Sequence, residues 1–241
     1  MDLSFCITCM NRTKYLKKTL LKNLKFNSNS KIEFVLVDFN STDGLNNYIK
    51  NTKEFEKYLN NKQLKYIFYE NLKYWHASIA KNIAHKFATG KIVVNLDCDN
   101  FIGENGGDFI LNIFKENNNI ILSQSKEIFG SGTAGRISIS KDNFEKLGGY
   151  NESFFPVGYQ DTDIIERAKK INLKHINISK NNDSIKNSKD ESIINCNTNI
   201  DYFTMENCNR LISKINLDNN ELVANKYIID SSFDNQEVND H

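Results

Sequence analysis

Lys91-Ile92-Val93-Val94-Asn95-Leu96-Asp97-Cys98-Asp99-Asn100 is the stretch on which the reading of this chain turns. A short apolar run ends in two carboxylates spaced i, i+2. On a strand, such residues point to the same face. Where the strand leaves the sheet, both can reach one ligand. Two hard oxygen donors suit Mg²⁺ or Mn²⁺, which keeps open positions for substrate phosphates. The pair therefore points to a metal that holds a diphosphate. A polar loop whose carboxylates cap turns has the same pattern, so the pair alone does not choose.

The surrounding chain narrows the choice. Its 241 residues suffice for one large domain or a domain with a small appendage. Charge is balanced, 31 Lys+Arg against 30 Asp+Glu, without the basic excess that nucleic-acid binding requires. Met1-Asp2 runs straight into an apolar strand, so no secretory signal is expected, and no apolar run approaches a membrane span. A cytoplasmic protein is expected, with peripheral inner-membrane contact left open. The five cysteines are Cys6, Cys9, Cys98, Cys196 and Cys208, an odd number with no disulfide framework. Cys6-x-x-Cys9 lies in an apolar strand without a second pair, and reduced, partly buried thiols are expected. Abundant Asn, Lys and Ile with a single Pro reflect an AT-rich genome.

Strands and helices alternate through the first 125 residues or so. Strands are expected at Leu3–Thr8, Ile32–Val37, Leu64–Tyr69, Lys91–Leu96 and Ile120–Ser123. Between them, helical spacing starts at Asn11-Arg12-Thr13, runs from Ser41-Thr42-Asp43-Gly44 through Tyr58, spans Ala77–Ala88 before Gly90, and begins again at Phe109–Phe114. Continuous apolar strands separated by amphipathic helices imply a parallel α/β sheet covered on both faces. Ligands of such sheets bind beyond the carboxyl ends of the strands. Thr8, Asn11, Asp38, Ser41, Asp97 and Asp99 all fall there and can converge on one crevice. Later come a short strand at Ile137–Ser140, a helix at Asp142–Leu147 closed by Gly148-Gly149, a helix from Asp161 through Lys170, and one from Met205 to Ile215. The polar end, 231–241, reads as a disordered tail.

A second informative site is Phe154-Phe155-Pro156-Val157-Gly158-Tyr159-Gln160-Asp161-Thr162-Asp163. An apolar loop leads into carboxylates at a helix start. Acidic residues there cap orphan N–H groups and suit the helix dipole. Equally, one of them can face the crevice as a base, kept ionised by the helix N-terminus.

With these pieces in order, the chain resembles a GT-A glycosyltransferase of the family 2 type over about Leu3 to Lys170. Phe5-Cys6-Ile7-Thr8-Cys9-Met10-Asn11-Arg12 stands where that family has its first strand and turn. Val35-Leu36-Val37-Asp38-Phe39-Asn40-Ser41-Thr42-Asp43-Gly44 is similar to its nucleotide-binding signature. Ser78-x-Ala80-x-Asn82-x-Ala84, then Ala88-x-Gly90, matches the helix before its DxD motif, and Asp97-Cys98-Asp99 occupies the DxD position. Gly148-Gly149-Tyr150-Asn151-Glu152 through Asp163 resembles the catalytic region of β-1,4-galactosyltransferases and chondroitin-type polymerases.

The resemblance implies a GT-A, Rossmann-like α/β fold: a mostly parallel sheet flanked by helices, with a small C-terminal helical extension. The expected divisions are a transferase domain at 1–180 (nucleotide-binding half about 1–100, catalytic half about 101–180) and an extension at 181–230 packing on it. By the same resemblance, Thr8, Asn11, Arg12, Asp38, Ser41, Ser78, Asn82 and Asp97 border the nucleotide. Asp97 and Asp99 hold Mn²⁺ or Mg²⁺. Asp161 is the general base, and Tyr159, Gln160 and Asp163 contact the acceptor. Gln160 stands where the family has Glu, so the acceptor contact there carries no charge. A metal-binding His often follows the catalytic helix; here Asn181-Asn182-Asp183-Ser184 stands about there, leaving Asp183 or His175 as candidates. Trp75 can stack on a base or sugar or fill the core edge, with packing favoured. The small, flexible Gly130–Gly135 segment borders donor sugar and acceptor in the resembled fold.

The implied reaction is inverting transfer of a hexose or N-acetylhexosamine from a UDP-sugar to a hydroxyl of a glycan or lipid-linked glycan. In a bacterium this belongs to surface polysaccharide or lipooligosaccharide synthesis. A nucleotidyltransferase would want a Gly-rich, basic loop after the first strand, which Cys9-Met10-Asn11-Arg12 does not supply. A non-catalytic partner subunit of the same fold stays open because of Gln160 and the missing His.

Overall fold

The computed structural model describes residues 1–125, 133–178 and 183–226. A seven-stranded sheet runs β3-β2-β1-β4-β7-β6-β8, formed by β1 (Leu3–Cys9), β2 (Ile32–Asp38), β3 (Leu64–Phe68), β4 (Ile92–Asp97), β6 (Ile120–Ser123), β7 (Ile137–Ser140) and β8 (Lys174–Asn177). A separate two-stranded ribbon pairs β5 (Asn100–Phe101) with β9 (Asp183–Ser184). Six strands of the main sheet run parallel, and β7 alone opposes its neighbours β4 and β6.

Every residue of β1 and β2 is buried. That is what a two-sided sheet requires, and it explains apolar runs without polar alternation. Phe5, Phe34, Leu36, Val94 and Leu122 pack toward α1 (Thr13–Phe26) and α5 (Gly106–Glu116). Cys6, Val35, Val37, Val93 and Ile139 pack on the other face with Ala80 and Ala84 of α4 (Ala77–Lys86) and Ile164 of α7 (Gln160–Lys170). Phe5 and Phe34 stack at 5.0 Å between ring centroids. Each such buried ring is worth about 1.5–3 kcal/mol of transfer free energy.

The chain order places the site. From β1 the sheet grows toward β2 on one side, and β4 returns on the other side. The register sets Thr8 opposite Asp97 across this reversal. A crevice opens at such a switch point, beyond the carboxyl ends of the two strands.

One expected helix is two. The stretch from Gly44 to Tyr58 forms α2 (Leu45–Asn51) and α3 (Lys53–Asn60), broken at Thr52, which is extended at φ −89°, ψ 104°. The Thr52 hydroxyl donates to the Tyr48 carbonyl at 2.6 Å, and its own carbonyl accepts from Phe55 N at 2.9 Å. A β-branched hydroxyl residue thus closes one helix and opens the next.

The helix expected at Asp142–Leu147 is α6 (Lys141–Lys146), and the one expected at Met205–Ile215 is longer, α9 (Tyr202–Asp218). Between β9 and α9 lies a short helix the sequence did not announce, α8 (Lys189–Ile193). All five cysteines are free thiols, and Cys6, Cys9 and Cys98 are buried. No helix among the described residues is long and apolar enough to cross a membrane. Residues 126–132, including the first part of the Gly130–Gly135 segment, lie outside the described residues, as do Asn181, Asn182 and the tail 231–241.

Candidate active site

The turns after β1 and β2 are locked together. Asn11 and Asn40 both adopt φ 53°, a left-handed conformation that asparagine tolerates well. Asn11 N donates to Ser41 Oγ at 2.9 Å, and Ser41 N donates to Asp38 Oδ1 at 2.9 Å. The other Asp38 oxygen accepts from the Tyr66 hydroxyl at 2.7 Å. Burial and this carboxylate push the Tyr66 phenol far above its usual pKa. Asp38 is fully buried, so both oxygens serve the turn rather than open space. Asp43 holds α1 from outside, accepting from Thr13 N at 2.8 Å and Thr13 Oγ1 at 2.5 Å.

At the end of β4 the two carboxylates have different company. Asp97 Oδ1 accepts from Asn95 Nδ2 at 3.1 Å, and the same amide nitrogen donates to the Gly135 carbonyl at 2.8 Å. Asp99 accepts from Asn100 Nδ2 at 2.7 Å on Oδ1, and from Arg12 Nη2 at 3.2 Å on Oδ2. Asn187 Nδ2 donates to that second oxygen as well. Burial, with Asp97 nearby, raises the Asp99 carboxyl to about 6 against the pull of Arg12. Two carboxylates crowded in this way are poised for a cation.

Among the described residues no three His, Cys, Asp or Glu side chains gather around one point. The protein donor set is therefore the Asp97/Asp99 pair, which fits Mg²⁺ or Mn²⁺ bound by one or two carboxylates with the rest left to phosphate and water. His175 is not brought there. It sits on β8, three strands from β4, about 14 Å away at the usual ~4.8 Å strand spacing. Its Nε2 shares a 2.8 Å hydrogen bond with Ser123 Oγ. Asp183 comes nearer through the β5–β9 ribbon, but its Oδ1 accepts from Ser184 N at 2.9 Å.

The base candidate enters from the other side. The loop before α7 is gripped from two directions. His76 Nε2 bonds the Phe154 carbonyl at 2.9 Å, and Ala77 N donates to the Pro156 carbonyl at 2.8 Å. The buried Asn209 of α9 accepts from Phe155 N at 2.6 Å and donates to the carbonyls of Phe155 (3.2 Å), Val157 (3.1 Å) and Gly158 (2.8 Å). Gly158 at φ 91° and Tyr159 at φ 67° then turn the chain into α7. Asp161 emerges with its side chain one-fifth exposed and Oδ1 2.5 Å from Lys81 Nζ.

Gly135 shows how close the two sides come. A Cβ on it would lie 2.8 Å from Asp97 Oδ2, 3.2 Å from Asp161 Oδ2 and 3.4 Å from Lys81 Nζ. The β4 carboxylate, the α7 carboxylate and a lysine thus converge on Gly135, where no larger residue would fit without displacing them.

Other expected site residues are placed elsewhere. Asp163 is fully buried, accepting from Arg167 Nε at 2.8 Å and Ser213 Oγ at 2.8 Å, so it does not face an acceptor. Asn82 donates to the Tyr150 carbonyl and to Glu152 Oε1, each at 2.8 Å, and accepts from Tyr150 N at 2.8 Å. It shapes the Gly-Gly-Tyr turn rather than bordering a nucleotide. Arg167 also donates to the carbonyls of Leu147 (2.7 Å) and Gly149 (2.8 Å). Thr8 and Ser78 are buried; Asn11, Arg12 and Ser41 are half-buried at the crevice, with Tyr159 and Gln160 beside α7. Trp75 packs edge-on against Phe39 at 6.2 Å, a core-edge role.

Several participants were missed. Lys81 is a lysine on the buried side of α4, among Ala77, Ser78, Ala80, Ala84 and His85, and a charge at a buried helical position is a usable signal. Arg136 is fully buried and donates to Asn100 Oδ1 at 2.9 Å. Burial drops its guanidinium to about 10 against the pull of Asp97, Asp183 and Asp99. Asn195 ties the far segment back, donating to the Met10 carbonyl at 3.0 Å and accepting from Asn11 Nδ2 at 3.1 Å. Nothing distinguishes Asn187 or Asn195 from the other asparagines around them.

Comparison with known proteins adds the family. No curated protein sequence matches this chain. Solved structures of similar fold include TarS residues 1–349 from S. aureus, at 18% identity and TM-score 0.60, covering 75% of this chain and 58% of that one. TarS 1–349 in complex with UDP-GlcNAc aligns at 17% identity and TM-score 0.62, covering 78% and 59%. The mannosyltransferase PcManGT from Pyrobaculum calidifontis, in complex with GDP-Man and Mn²⁺, aligns at 17% identity and TM-score 0.61, covering 74% and 55%. This chain therefore spans less than three-fifths of each of these neighbours, and at such identities the likeness is one of fold. The sequence profile of Glycosyl transferase family 2 matches residues 4–174, from β1 to the first residue of β8 and across both carboxylate sites, and the chain belongs to that family.

Proposed function

We propose that this chain is an inverting, metal-dependent glycosyltransferase moving a hexose or N-acetylhexosamine from a UDP-sugar to a hydroxyl of a glycan acceptor. The observation that carries this reading is the convergence of Asp97 Oδ2, Asp161 Oδ2 and Lys81 Nζ on Gly135. A base and a diphosphate-side carboxylate brought to the same glycine suit a single displacement. Neighbours in complex with UDP-GlcNAc and GDP-Man support a nucleotide-sugar donor.

Asp97 and Asp99 would hold Mn²⁺ or Mg²⁺, which supplies charge neutralisation to the departing diphosphate. Asp161 takes the proton of the acceptor hydroxyl as that oxygen attacks the anomeric carbon from the face opposite the leaving group, so the configuration inverts. Asn11, Arg12 and Ser41 line the nucleotide end, and Tyr159 and Gln160 the acceptor end. The family resemblance supports a lipid-linked or free glycan acceptor of bacterial surface polysaccharide or lipooligosaccharide, met at the cytoplasmic face of the inner membrane.

The test is nucleotide release from a panel of UDP- and GDP-sugars, with Mn²⁺ or with EDTA. The expected result is Mn²⁺-dependent cleavage of one UDP-sugar, abolished by EDTA and lowered at least about 100-fold in Asp97→Asn. Gln160 favours one second reading, a non-catalytic partner subunit. Donor binding seen by calorimetry without release on any acceptor would establish it instead.

A further inference from the structure

Asp161 is held on one oxygen and left open on the other. Oδ1 accepts from Lys81 Nζ at 2.5 Å. Oδ2 is the oxygen turned toward Gly135, which Asp97 Oδ2 also approaches. Lys81 itself is only 3% exposed. Its ammonium rests 5.0 Å from the centroid of the buried Tyr150 ring, and its carbonyl is bonded by His85 Nδ1 at 2.7 Å. The next residue of α4, Asn82, clamps the main chain of the same Tyr150 at both N and O.

Burying an ammonium costs several kcal/mol, and apolar residues in place of a buried ion pair are commonly neutral or stabilising. The same buried side of α4 carries Ala77, Ala80 and Ala84 beside Ser78 and His85, and Lys81 is its one charged lysine. Stability therefore does not account for a lysine here. The carboxylate does: burial, with Asp97 adding to it, holds the Asp161 carboxyl above its usual range, and Lys81 limits that rise. Burial likewise works against the Lys81 charge, but Asp161 and Asp97 outweigh it and lift its pKa above the usual lysine value. A carboxyl that already carries a proton cannot accept one from a sugar hydroxyl.

We propose that Lys81 is the positioning residue of Asp161: it fixes one carboxylate oxygen and leaves the other turned toward Gly135 and Asp97. This deepens the transferase reading and rests on it. In the step it serves, the acceptor O–H bond breaks and its proton passes to Asp161 Oδ2. The acceptor oxygen forms the new bond to the anomeric carbon, and the diphosphate leaves with the electron pair of the old one. Lys81 touches none of the reacting atoms.

The test is steady-state kinetics with the UDP-sugar that the wild type cleaves, alongside UDP binding by calorimetry. Lys81→Met is expected to lose about 100-fold or more in kcat, with donor KM and UDP affinity within about threefold. Lys81→Arg, which restores a cation to Asp161, is expected to recover at least about tenfold over Lys81→Met. Added to Asp161→Asn, Lys81→Met is expected to cost less than about threefold further, because the two act as one unit. Should Lys81→Met fail to fold, Lys81→Gln takes its place in each comparison. A kcat within about threefold of wild type, a loss confined to donor KM, or an additive loss on top of Asp161→Asn would each overturn the proposal. The failures are separable: a wild type that cleaves no nucleotide sugar overturns the transferase reading and this proposal with it, whereas an active wild type with an equally active Lys81→Met overturns this proposal alone.

Discussion

Asp97/Asp99 and Asp161/Asp163 share a spacing, and the protein uses the two pairs differently. The first pair leaves a strand, where both side chains stay within reach of one crevice. The second opens a helix, where residues two apart point about 200° from each other. One of them, Asp161, turns an oxygen toward Gly135, and the other is sealed against Arg167 and Ser213. Each pair also has a member tied by an arginine. The side chains of Arg12 and Asp99 are 23% and 8% exposed, those of Arg167 and Asp163 only 2% and 0%. The first ion pair sits where a ligand can compete for it, and the second does not. An i, i+2 spacing therefore nominates carboxylates, and the partners and their access to water decide which ones work.

The comparison can be broken most directly with two variants. Asp161→Asn is expected to lower kcat by about 10³-fold, the middle of the range for a general base, with UDP affinity nearly unchanged. Arg167→Met is expected to do the reverse, leaving the buried Asp163 without its cation and with only the Ser213 hydroxyl. That costs about 3–5 kcal/mol and lowers Tm by roughly 6–20 °C for a chain of this size, read by thermal denaturation. If Asp161→Asn unfolds the protein, or Arg167→Met leaves Tm in place, the division between working and structural carboxylates is wrong.

The partly open Asp99–Arg12 pair gives a sharper test. With its carboxyl raised to about 6, Asp99 carries a proton below that pH and cannot coordinate. Mn²⁺ affinity, measured on the donor-free protein, is expected to level off above about pH 7 and to fall by about tenfold per pH unit below about 6. A flat profile would mean that Asp99 stays with Arg12 and Asn187 and takes no part in holding metal. The smallest expected effect belongs to Asn209→Ala. It removes one amide with four bonds to the loop before Asp161, for about 1–3 kcal/mol of stability. Its kcat should fall more than its UDP affinity, as judged by kinetics and calorimetry together.

The fold was legible where burial is uniform. Leu3–Cys9 and Ile32–Asp38 are buried along their whole length, so their apolar runs carry the signal without competition. Thr52 broke an expected helix because a hydroxyl bond to Tyr48, invisible to periodicity, stops the first half. Within the site, Asp97, Asp99 and Asp161 were readable from position along strands and helices. Their partners were not: Asn187 meets Asp99 from 88 residues away, and Lys81 meets Asp161 from 80. Asp38 and Asn82 stand in the nucleotide motifs, yet their hydrogen bonds run within the protein, from Asp38 to Ser41 N and the Tyr66 hydroxyl and from Asn82 to Tyr150 and Glu152. A motif residue can shape the cradle without touching what lies in it.

Asn209 carries a consequence for where this protein can be cut. The family match ends at residue 174, while the amide that grips the loop presenting Asp161 comes from beyond it, as does Ser213 on Asp163. Ala224 N and Asn225 Nδ2 likewise bond the carbonyls of Leu147 and Gly148 at the Gly-Gly turn. A fragment trimmed to the matched stretch would keep the motif residues and lose the brace that sets their angle. For anyone building chimaeras from this chain, the unit to move runs past α9 through Asn225, and the recognisable part of the sequence is shorter than the part that has to travel.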